Sequence, residues 1–268
     1  MGRVEDKVAF ITGAARGQGR SHAVMLAAEG ADIIAVDVCT PVAWTSYPGS
    51  TPEDLAQTVH QVEALGRRIV AATADVRDRA ALEQAVTTGL AALGRLDIVV
   101  ANAGIGGLSS WDQVSSEMWQ DTIDVNLTGV WNTVRATAPH LVTGGGGSII
   151  LVSSAGGLKG MPFMAPYIAS KFGVTGLAKA LAQELAEYHI RVNSLHPTGV
   201  NTPMAGGGAD AAGLIAAHPH LASILVNILP ITFMDPADVS HAVVYLASDE
   251  SRYVTASAMT VDAGISEY

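Results

Sequence analysis

The stretch KVAFITGAARGQGR, residues 7–20, decides the fold. A short apolar run is followed at once by Gly13, Gly17 and Gly19, a GxxxGxG spacing. Glycine lets the backbone turn tightly and approach a pyrophosphate, and a helix beginning near Gln18 would point free N–H groups at that group. The stretch predicts a first strand, a phosphate-binding loop and a first helix, although a plain strand–helix connector also uses glycines.

Short apolar runs and longer helical patterns alternate along the whole chain. The runs are 7–13, 31–38, 68–76, 96–104, 147–154, 190–197 and 258–264, and the helical patterns are 53–65, 78–93, 115–140, 166–188 and 236–248. Runs that are apolar on both faces are typical of parallel strands covered on both sides. The alternation predicts a Rossmann-type, doubly wound parallel α/β sheet of about seven strands with helices on both faces, in a single domain over residues 1–268.

Composition narrows the class of protein. Of 268 residues, 49% are hydrophobic and 15% charged, which is too apolar for a disordered chain. The net charge of −10, with no basic run, argues against a nucleic-acid or anionic-membrane partner. The single cysteine, Cys39, allows no disulfide framework and no thiolate metal cluster, so we assign no metal site. No apolar run reaches about 18 residues, and we expect a cytoplasmic protein without a membrane span.

Two segments interrupt the alternation. Residues 39–51, CTPVAWTSYPGST, form an insertion where a short turn would suffice, and residues 204–234 form a long segment with three consecutive glycines, 206–208, near its start. Loops of this length in a compact domain are usually functional or disordered. We therefore assign 204–234 as a substrate loop. The apolar side chains expected to line a pocket with this loop are Met161, Phe163, Met164 and Met204.

The end of the second strand predicts which dinucleotide is used. Asp37 can accept hydrogen bonds from both ribose hydroxyls and would repel a 2′-phosphate, which favours NAD over NADP. Arg16 argues the other way, since an arginine near the ribose can accept a phosphate. We give Asp37 more weight because an unpaired carboxylate facing a phosphate is costly. Asp75 ends the third strand and can meet the adenine, or it caps the helix that starts near Asp78.

The stretch YIASK places Tyr167 and Lys171 four residues apart. If residues 165–189 form a helix, the two side chains share a face. A phenol is a poor base at neutral pH, but a nearby ammonium lowers its pKa. Such a phenol can take the proton of an alcohol while hydride leaves carbon, or return it during reduction. The alternative is a packed tyrosine beside a lysine whose amine reaches solvent.

Polar residues at neighbouring positions favour the catalytic interpretation. Ser153 and Ser154 end a strand, where a hydroxyl can bind the substrate oxygen. Asn126 lies in a helical pattern, where asparagine is a mediocre former, and its side chain can hold a proton-relaying water or bond the local backbone. The NAG at 102–104 would place backbone beside the cofactor, and Val200 and Thr202 would meet the nicotinamide carboxamide.

These motifs together resemble the short-chain dehydrogenase/reductase family along almost the whole chain. The resemblance implies a tetrad of Asn126, Ser154, Tyr167 and Lys171. Tyr167 would be the acid/base, Lys171 would lower its pKa and hold the nicotinamide ribose, Ser154 would orient the substrate, and Asn126 would anchor the relay water. Ser154 is preferred over Ser153 because Tyr167 follows it by 13 positions. The predicted cofactor-binding residues are Gly13, Arg16, Gly17, Gln18, Gly19, Asp37, Val38, Asp75, Val76, Asn102, Ala103, Gly104, Tyr167, Lys171, Pro197, Val200 and Thr202.

The insertion and the segment that follows it are similar to the carveol-dehydrogenase-like, mycofactocin-coupled branch of this family. That resemblance implies NAD held so tightly that a separate redox carrier, mycofactocin, reoxidises it, and the family is commonly tetrameric. Trp44 and Tyr47 would cover the adenosine half of NAD as a flap far from Tyr167, or the insertion is an exposed variable loop.

We therefore expect hydride transfer between NAD(H) and a hydrophobic secondary alcohol or ketone. The alternatives are an ordinary member with freely exchanging NAD that acts on a sugar or steroid alcohol, and a non-catalytic NAD sensor.

Overall fold

The computed structural model describes residues 2–206 and 209–267. Seven parallel strands form one sheet in the order β3-β2-β1-β4-β5-β6-β7, which confirms the predicted fold class. The strands are β1 (Val8–Thr12), β2 (Asp32–Asp37), β3 (Ile69–Thr73), β4 (Ile98–Ala101), β5 (Gly147–Val152), β6 (Ile190–Pro197) and β7 (Ala258–Val261).

Helices cover both faces of the sheet. They are α1 (Gly17–Ala28), α2 (Pro52–Glu63), α3 (Arg79–Leu93), α4 (Ser116–Ile123), α5 (Gly129–Gly144), α6 (Ala165–Glu184), α7 (Pro203–Gly206), α8 (Ala209–Ala217) and α9 (Pro236–Ala247). Alternate strand residues face opposite layers. Ile34 belongs to the core cluster that includes buried residues of α3, α5 and α6, whereas its neighbour Ile33 belongs to the cluster that includes residues of α1, α2 and α9. Within the described residues, no helix has the length and apolar character needed to cross a membrane.

The segment predicted as one helix over residues 115–140 is divided. A π-helical stretch, Asp124–Thr128, joins α4 to α5 and contains Asn126. Such wide turns appear mostly as single insertions within α-helices, frequently at functional sites. The helix expected over 165–189 ends at Glu184 and continues as a 3₁₀ turn, Ala186–Tyr188.

The predicted substrate loop is partly helical. The described part of residues 204–234 contains α8 and a 3₁₀ stretch, Pro219–Leu225, because alanine-rich sequence favours helix. Positions 207 and 208 of this loop lie outside the described residues. The far end is held by a bridge between Val200 and Met234.

The strand order reverses between β1 and β4. The chain continues from β1 to β2 on one side of this point and from β4 to β5 on the other. Ligands of open parallel sheets bind in the crevice at this point, beyond the carboxyl ends of the strands. Gly13, Asn102 and Asp37 all follow or end strands at this edge. The fold thus brings the phosphate loop, the predicted ribose carboxylate and the strand-end asparagine to one crevice.

A close approach between α3 and β2 gives a packing test of this fold. A Cβ added at Gly89 would lie 2.4 Å from Cδ1 of Ile34, a fully buried side chain. We expect Gly89→Ala to lower the free energy of unfolding by about 1–3 kcal/mol, despite the better helix propensity of alanine. Ile34→Val removes the opposing methyl at a cost of about 1 kcal/mol.

The double variant should therefore be less destabilised than the sum of the two single variants, because each change accommodates the other. Urea unfolding of the three variants checks this. Gly89→Ala as stable as the parent, or strictly additive losses, would contradict the packing.

Candidate active site

The glycine loop forms a close backbone cradle after β1. Gly13 and Gly17 have positive φ angles of 67° and 54°. A Cβ at Gly19 would lie 1.9 Å from the carbonyl oxygen of Gly13, so only glycine allows α1 to start so near β1. The side-chain oxygen of Gln18, in the same turn, is buried with no hydrogen-bond partner among the described residues. Free helix N-terminal amides and space for an anion are what a pyrophosphate requires.

Asp37 is buried at the end of β2 and is fixed by the backbone. One carboxylate oxygen accepts from Ala15 N at 2.9 Å, and the other accepts from Cys39 N at 3.1 Å and from the Ser50 hydroxyl at 2.6 Å. The carboxylate therefore faces the crevice in a set orientation, between the glycine loop and the end of the insertion. Val38 lines the same cavity.

Arg16 turns toward the insertion. Its guanidinium donates to the carbonyl oxygen of Gly49 at 2.9 Å and to that of Pro48. These bonds engage the cation that could have accepted a ribose phosphate. The guanidinium instead ties the end of the insertion to the glycine loop.

Asp75 lies at the third strand's end of the crevice but is paired with Arg77. The guanidinium contacts the carboxylate at 2.6 Å and also contacts Asp121 of α4 at 3.1 Å. The cap of α3 is Asp78, whose side chain accepts from Ala81 N, so Asp75 is not the helix cap. Asp75 and Val76 both line the cavity.

The ends of β1 and β4 are held together across the reversal of strand order. The amide nitrogen of Asn102 donates to the carbonyl oxygen of Thr12 at 2.9 Å. The Thr12 hydroxyl accepts from the backbone N–H groups of Asn102 and Ala103 at 3.0 and 3.1 Å. The backbone of residues 102–104 is therefore rigid where it borders the crevice.

A cavity of about 430 Å³ occupies this crevice. The predicted cofactor residues that line it are Gly13, Arg16, Gly17, Gln18, Gly19, Asp37, Val38, Asp75, Val76, Asn102, Ala103, Gly104 and Thr202. Pro197 ends β6 in the sheet, and Val200 is buried in the core cluster. Tyr167 and Lys171 stand beside the cavity rather than among its lining residues.

Helix α6 brings the tyrosine and lysine together as its register predicts. The Lys171 amine lies 5.5 Å from the centre of the Tyr167 ring and donates to the carbonyl oxygen of Val152 at 2.9 Å. The Ser154 hydroxyl and the Tyr167 ring border one small space, since a Cβ at Gly156 would lie 3.5 Å from the serine oxygen and 3.7 Å from Cε1 of the tyrosine. Ser153 points away, because its hydroxyl donates to the Lys171 carbonyl oxygen within the core. Of the two serines, the structure brings Ser154 to the tyrosine.

The protonation of this pair is set mainly by burial. Burial raises the pKa of Tyr167, the hydrogen bond with Ser154 opposes the rise, and the nearby phenol of Tyr47 adds to it. Burial also lowers the pKa of Lys171 to about 8. Burial therefore places the pKa of Tyr167 above its ordinary value, and the lowering of that pKa by Lys171 stays a prediction.

Asn126 is completely buried in the π-helical turn. Its side-chain oxygen accepts from Ile105 N at 2.8 Å, and its amide nitrogen donates to Ile105 O at 2.8 Å and to the Ser170 hydroxyl at 3.3 Å. The side chain therefore fastens the loop after β4 to α6. A Cβ at Gly104 would lie 3.4 Å from this oxygen and 3.7 Å from the Lys171 amine, so the two groups border one small space.

The insertion crosses the crevice and reaches the side on which Tyr167 lies. Tyr47 OH accepts from Gly106 N at 3.1 Å, and a Cβ at Gly106 would lie 3.2 Å from the Tyr167 ring. The indole N–H of Trp44 donates to Asp121 at 3.1 Å. The expectation that the flap lies far from Tyr167 was therefore wrong, since a long-range hydrogen bond directs Tyr47 across the cavity.

Several residues around the cavity were not predicted. They are Thr40, Pro41, Val42, Thr45, Gly49 and Ser50 of the insertion, with Arg77, Ile105, Val125 and Pro203. The sequence offered an indication for Arg77, since it follows a predicted adenine-site carboxylate by two positions.

The four residues expected in one apolar pocket are separated. Met204 lines the cavity, whereas Met161 and Phe163 line an open groove with Phe172 and Ile224.

A glycine cradle at the strand-order reversal, with a serine, a tyrosine and a lysine beside it, defines the class of nucleotide-dependent dehydrogenases. The family model described as short chain dehydrogenase matches residues 7–211. The chain is 48% identical to the (-)-trans-carveol dehydrogenase of Rhodococcus erythropolis, over 98% of this chain and 99% of that one. The chain belongs to the short-chain dehydrogenase family.

Solved structures agree with this assignment. A short chain dehydrogenase from Mycobacterium paratuberculosis, bound to NAD, is 53% identical with a TM-score of 0.97 over 100% of both chains. A carveol dehydrogenase from Mycobacterium avium, in complex with NAD, is 51% identical with a TM-score of 0.93, again over 100% of both chains.

The buried lysine has a measurable effect on stability. The unfolded chain hydrates the Lys171 ammonium, so the folded state is penalised while the amine is protonated. The penalty is complete below the folded pKa of about 8 and disappears as pH rises toward the ordinary value of 10.5. The free energy of unfolding of the parent should therefore gain about 2 kcal/mol between pH 7 and pH 9.5 as the amine loses its proton. Lys171→Met lacks the amine and this gain, so its free energy of unfolding should fall relative to that of the parent by the same amount.

Urea unfolding at the two pH values measures this difference. Lys179→Met, at an exposed position of the same helix, serves as the control and should show no such change. An equal pH response from the two variants would contradict the buried, poorly compensated ammonium.

Proposed function

We propose that the protein is an NAD-dependent dehydrogenase that interconverts a hydrophobic secondary alcohol and its ketone. The observation that carries this proposal is the grouping of Ser154, Tyr167 and the buried Lys171 ammonium at the edge of the crevice that the glycine loop borders. Relatives that are carveol dehydrogenases support the substrate class. The apolar side chains of Ile105 and Met204 at the catalytic end of the cavity agree with it.

The residues of the crevice fit NAD. The glycine cradle lets a pyrophosphate approach the backbone N–H groups at the start of α1, and the oriented carboxylate of Asp37 accepts ribose hydroxyls. Because Arg16 is occupied by the Pro48 and Gly49 carbonyls, the cleft lacks an obvious partner for a 2′-phosphate at that position. When bound, the nicotinamide ring accepts or supplies the hydride.

The side chains of this chain handle the proton and the substrate oxygen. Ser154 orients the oxygen toward Tyr167, whose hydroxyl gives a proton to a ketone or takes one from an alcohol. The Lys171 ammonium favours the phenolate as the proton leaves, and it holds the nicotinamide ribose. Since the pKa of Tyr167 is raised, reduction can start from the ordinary neutral phenol, whereas oxidation should quicken as pH rises.

Substitution of the phenol tests this function. Tyr167→Phe should keep the fold and the bound nucleotide while turnover of a secondary alcohol falls by about 10²-fold or more, because the proton-transfer group is lost. The control is Tyr188→Phe, an exposed position near the end of the same helical segment. Turnover close to that of the parent in a folded Tyr167→Phe protein would contradict the mechanism and would favour a non-catalytic NAD sensor.

We also propose that NAD is held tightly and is reoxidised in place by an external redox carrier such as mycofactocin. The insertion supports this proposal because its C-terminal part is fastened on both sides of the cavity. Ser50 and Arg16 tie one end to Asp37 and the glycine loop, while Tyr47 binds Gly106 on the opposite side. We call the insertion, residues 39–51, the strap. Its hydrogen bonds must break before a dinucleotide beneath it can leave.

The strap makes a prediction about exchange. The purified protein should retain NAD or NADH through dialysis, turn over slowly with added NAD, and speed up with an artificial electron acceptor. Tyr47→Phe removes the bond to Gly106 and should quicken nucleotide release by about 10-fold, the effect of one lost hydrogen bond of about 1.4 kcal/mol. Tyr253→Phe, at an exposed tyrosine, is the control.

Stopped-flow displacement of the bound nucleotide measures the rate. Dialysed protein that is free of nucleotide and turns over well with added NAD would overturn the strap. The protein would then be an ordinary member with exchanging NAD, with sugar and steroid alcohols as the next substrates to test.

We further propose a cytoplasmic homotetramer. Large apolar side chains are exposed on the helices that border the catalytic end, Trp119 on α4, Trp131 on α5 and Phe172 on α6. Exposed apolar surface shared by neighbouring helices is suited to isologous pairing across two-fold axes. Light scattering of the purified protein measures the mass in solution.

A further inference from the structure

A completely buried histidine lies directly behind the predicted substrate-orienting serine. His196 of β6 is 0% exposed, and its Nδ1 lies 2.8 Å from the carbonyl oxygen of Ser154. Its Nε2 lies 2.8 Å from the hydroxyl of Ser194. The residue does not line the cavity, and its hydrogen bond to Ser154 links it to the candidate site.

The two hydrogen bonds define the protonation of the ring. A carbonyl oxygen can only accept, so Nδ1 carries the proton and donates to Ser154. Nε2 of the neutral ring then accepts from the Ser194 hydroxyl. Burial lowers the pKa of His196, with the hydrogen bond to Ser154 opposing the change, which agrees with a neutral ring. The imidazole is thus a fixed donor aimed at one peptide group.

The sheet needs such a donor at this position because its ladder ends here. The last rung between β5 and β6 is Ser153 N donating to Leu195 O at 2.8 Å. In a parallel ladder the next rung would use the N–H of Pro197, and proline has none. The chain therefore leaves β5 without main-chain support from β6, and the His196 side chain supplies the donor one residue later.

The Ser154 peptide is consequently held from two sides. Its carbonyl oxygen accepts from His196 and from Gly157 N at 2.8 Å, while its hydroxyl accepts from Gly156 N at 3.1 Å. The Gly156 and Gly157 bonds belong to the local 3₁₀ turn that follows β5. Among the hydrogen bonds that the described residues make to Ser154, the bond from the His196 side chain links the turn to β6.

We propose that His196 is a positioning residue for Ser154, with its Nδ1–H holding the serine peptide so that the hydroxyl faces Tyr167. The inference rests on the proposed function for the role of Ser154 itself. A displacement of the serine hydroxyl by about 1 Å is enough to cost up to about 10²-fold in rate.

A matched pair of substitutions separates positioning from packing. Asn places its amide nitrogen where Nδ1 stands, and Gln places its amide where Nε2 stands. His196→Asn should therefore keep kcat within about 3-fold of the parent, whereas His196→Gln should lose about 10-fold or more in kcat with an unchanged nucleotide content. Both variants lose the imidazole, so their thermal stabilities should fall alike. Equal kcat losses in the two variants would overturn the proposal.

A double-mutant cycle tests whether the effect passes through Ser154. In a Ser154→Ala background, His196→Gln should lower kcat by a further factor of less than about 2, because the hydroxyl that His196 positions is already absent. The same fold loss in both backgrounds would overturn the proposal. Parental activity of Ser154→Ala would instead contradict the proposed function, so the two failures are distinguishable.

A crystal structure of each variant gives a readout independent of activity. In His196→Gln the Ser154 hydroxyl should move away from the Tyr167 hydroxyl, and in His196→Asn it should stay. A serine that is unmoved in His196→Gln would overturn the proposal even if kcat falls.

Discussion

The approach of α1 to the end of β1 is the constraint on which the rest of the site depends. It exists because position 19 has no Cβ, which would otherwise lie 1.9 Å from the Gly13 carbonyl oxygen. The amide of Asn102 occupies the adjacent space and binds the Thr12 carbonyl, so the β1 and β4 ends are locked at the same place. Once this point is fixed, the sheet order dictates the remainder. Asp37 must end on one side of the crevice and Ser154 on the other.

The proposed catalytic pair, Tyr167 and Lys171, is held at a cost in stability. The Lys171 ammonium is 3% exposed, and its described hydrogen bond is to a neutral carbonyl oxygen, that of Val152. A charge in such surroundings is poorly compensated, as the pKa of about 8 indicates. Tight packing of α6 against the end of β5 keeps the amine in place. A site that must stabilise developing negative charge on a phenol benefits from a cation whose own solvation is incomplete.

Much of the fold followed from local sequence, and the reasons are specific. The five central strands were predicted because they are buried on both faces, so an unbroken apolar run marks each of them, and the partly exposed edge strands β3 and β7 carry shorter runs of the same kind. The pairing of Tyr167 with Lys171 followed from helical register alone. The wide turn at Asn126 did not, because it depends on bonds to Ile105 and Ser170, which are distant in sequence. The rise of the Tyr167 pKa through burial was also not predicted, since depth of burial is a property of the assembled fold.

The path of the insertion depends on distant contacts, so local sequence patterns did not predict it. Composition predicted an interruption after Asp37 but not its endpoint at Gly106. The bonds of Tyr47 to Gly106 and of Trp44 to Asp121 place the insertion against both the catalytic loop and α4. Asp121 in turn binds Arg77, which holds Asp75 at the adenine end.

Contacts at the two ends of the dinucleotide crevice are therefore joined through one segment. Because Tyr47 also raises the pKa of Tyr167, displacement of the strap would change the electrostatic surroundings of the proton-transfer group as well as open the crevice. A strap that only covered adenosine would leave that pKa untouched. If the insertion retains the cofactor as proposed, cofactor retention and the pKa of the phenol are coupled through a single side chain, that of Tyr47.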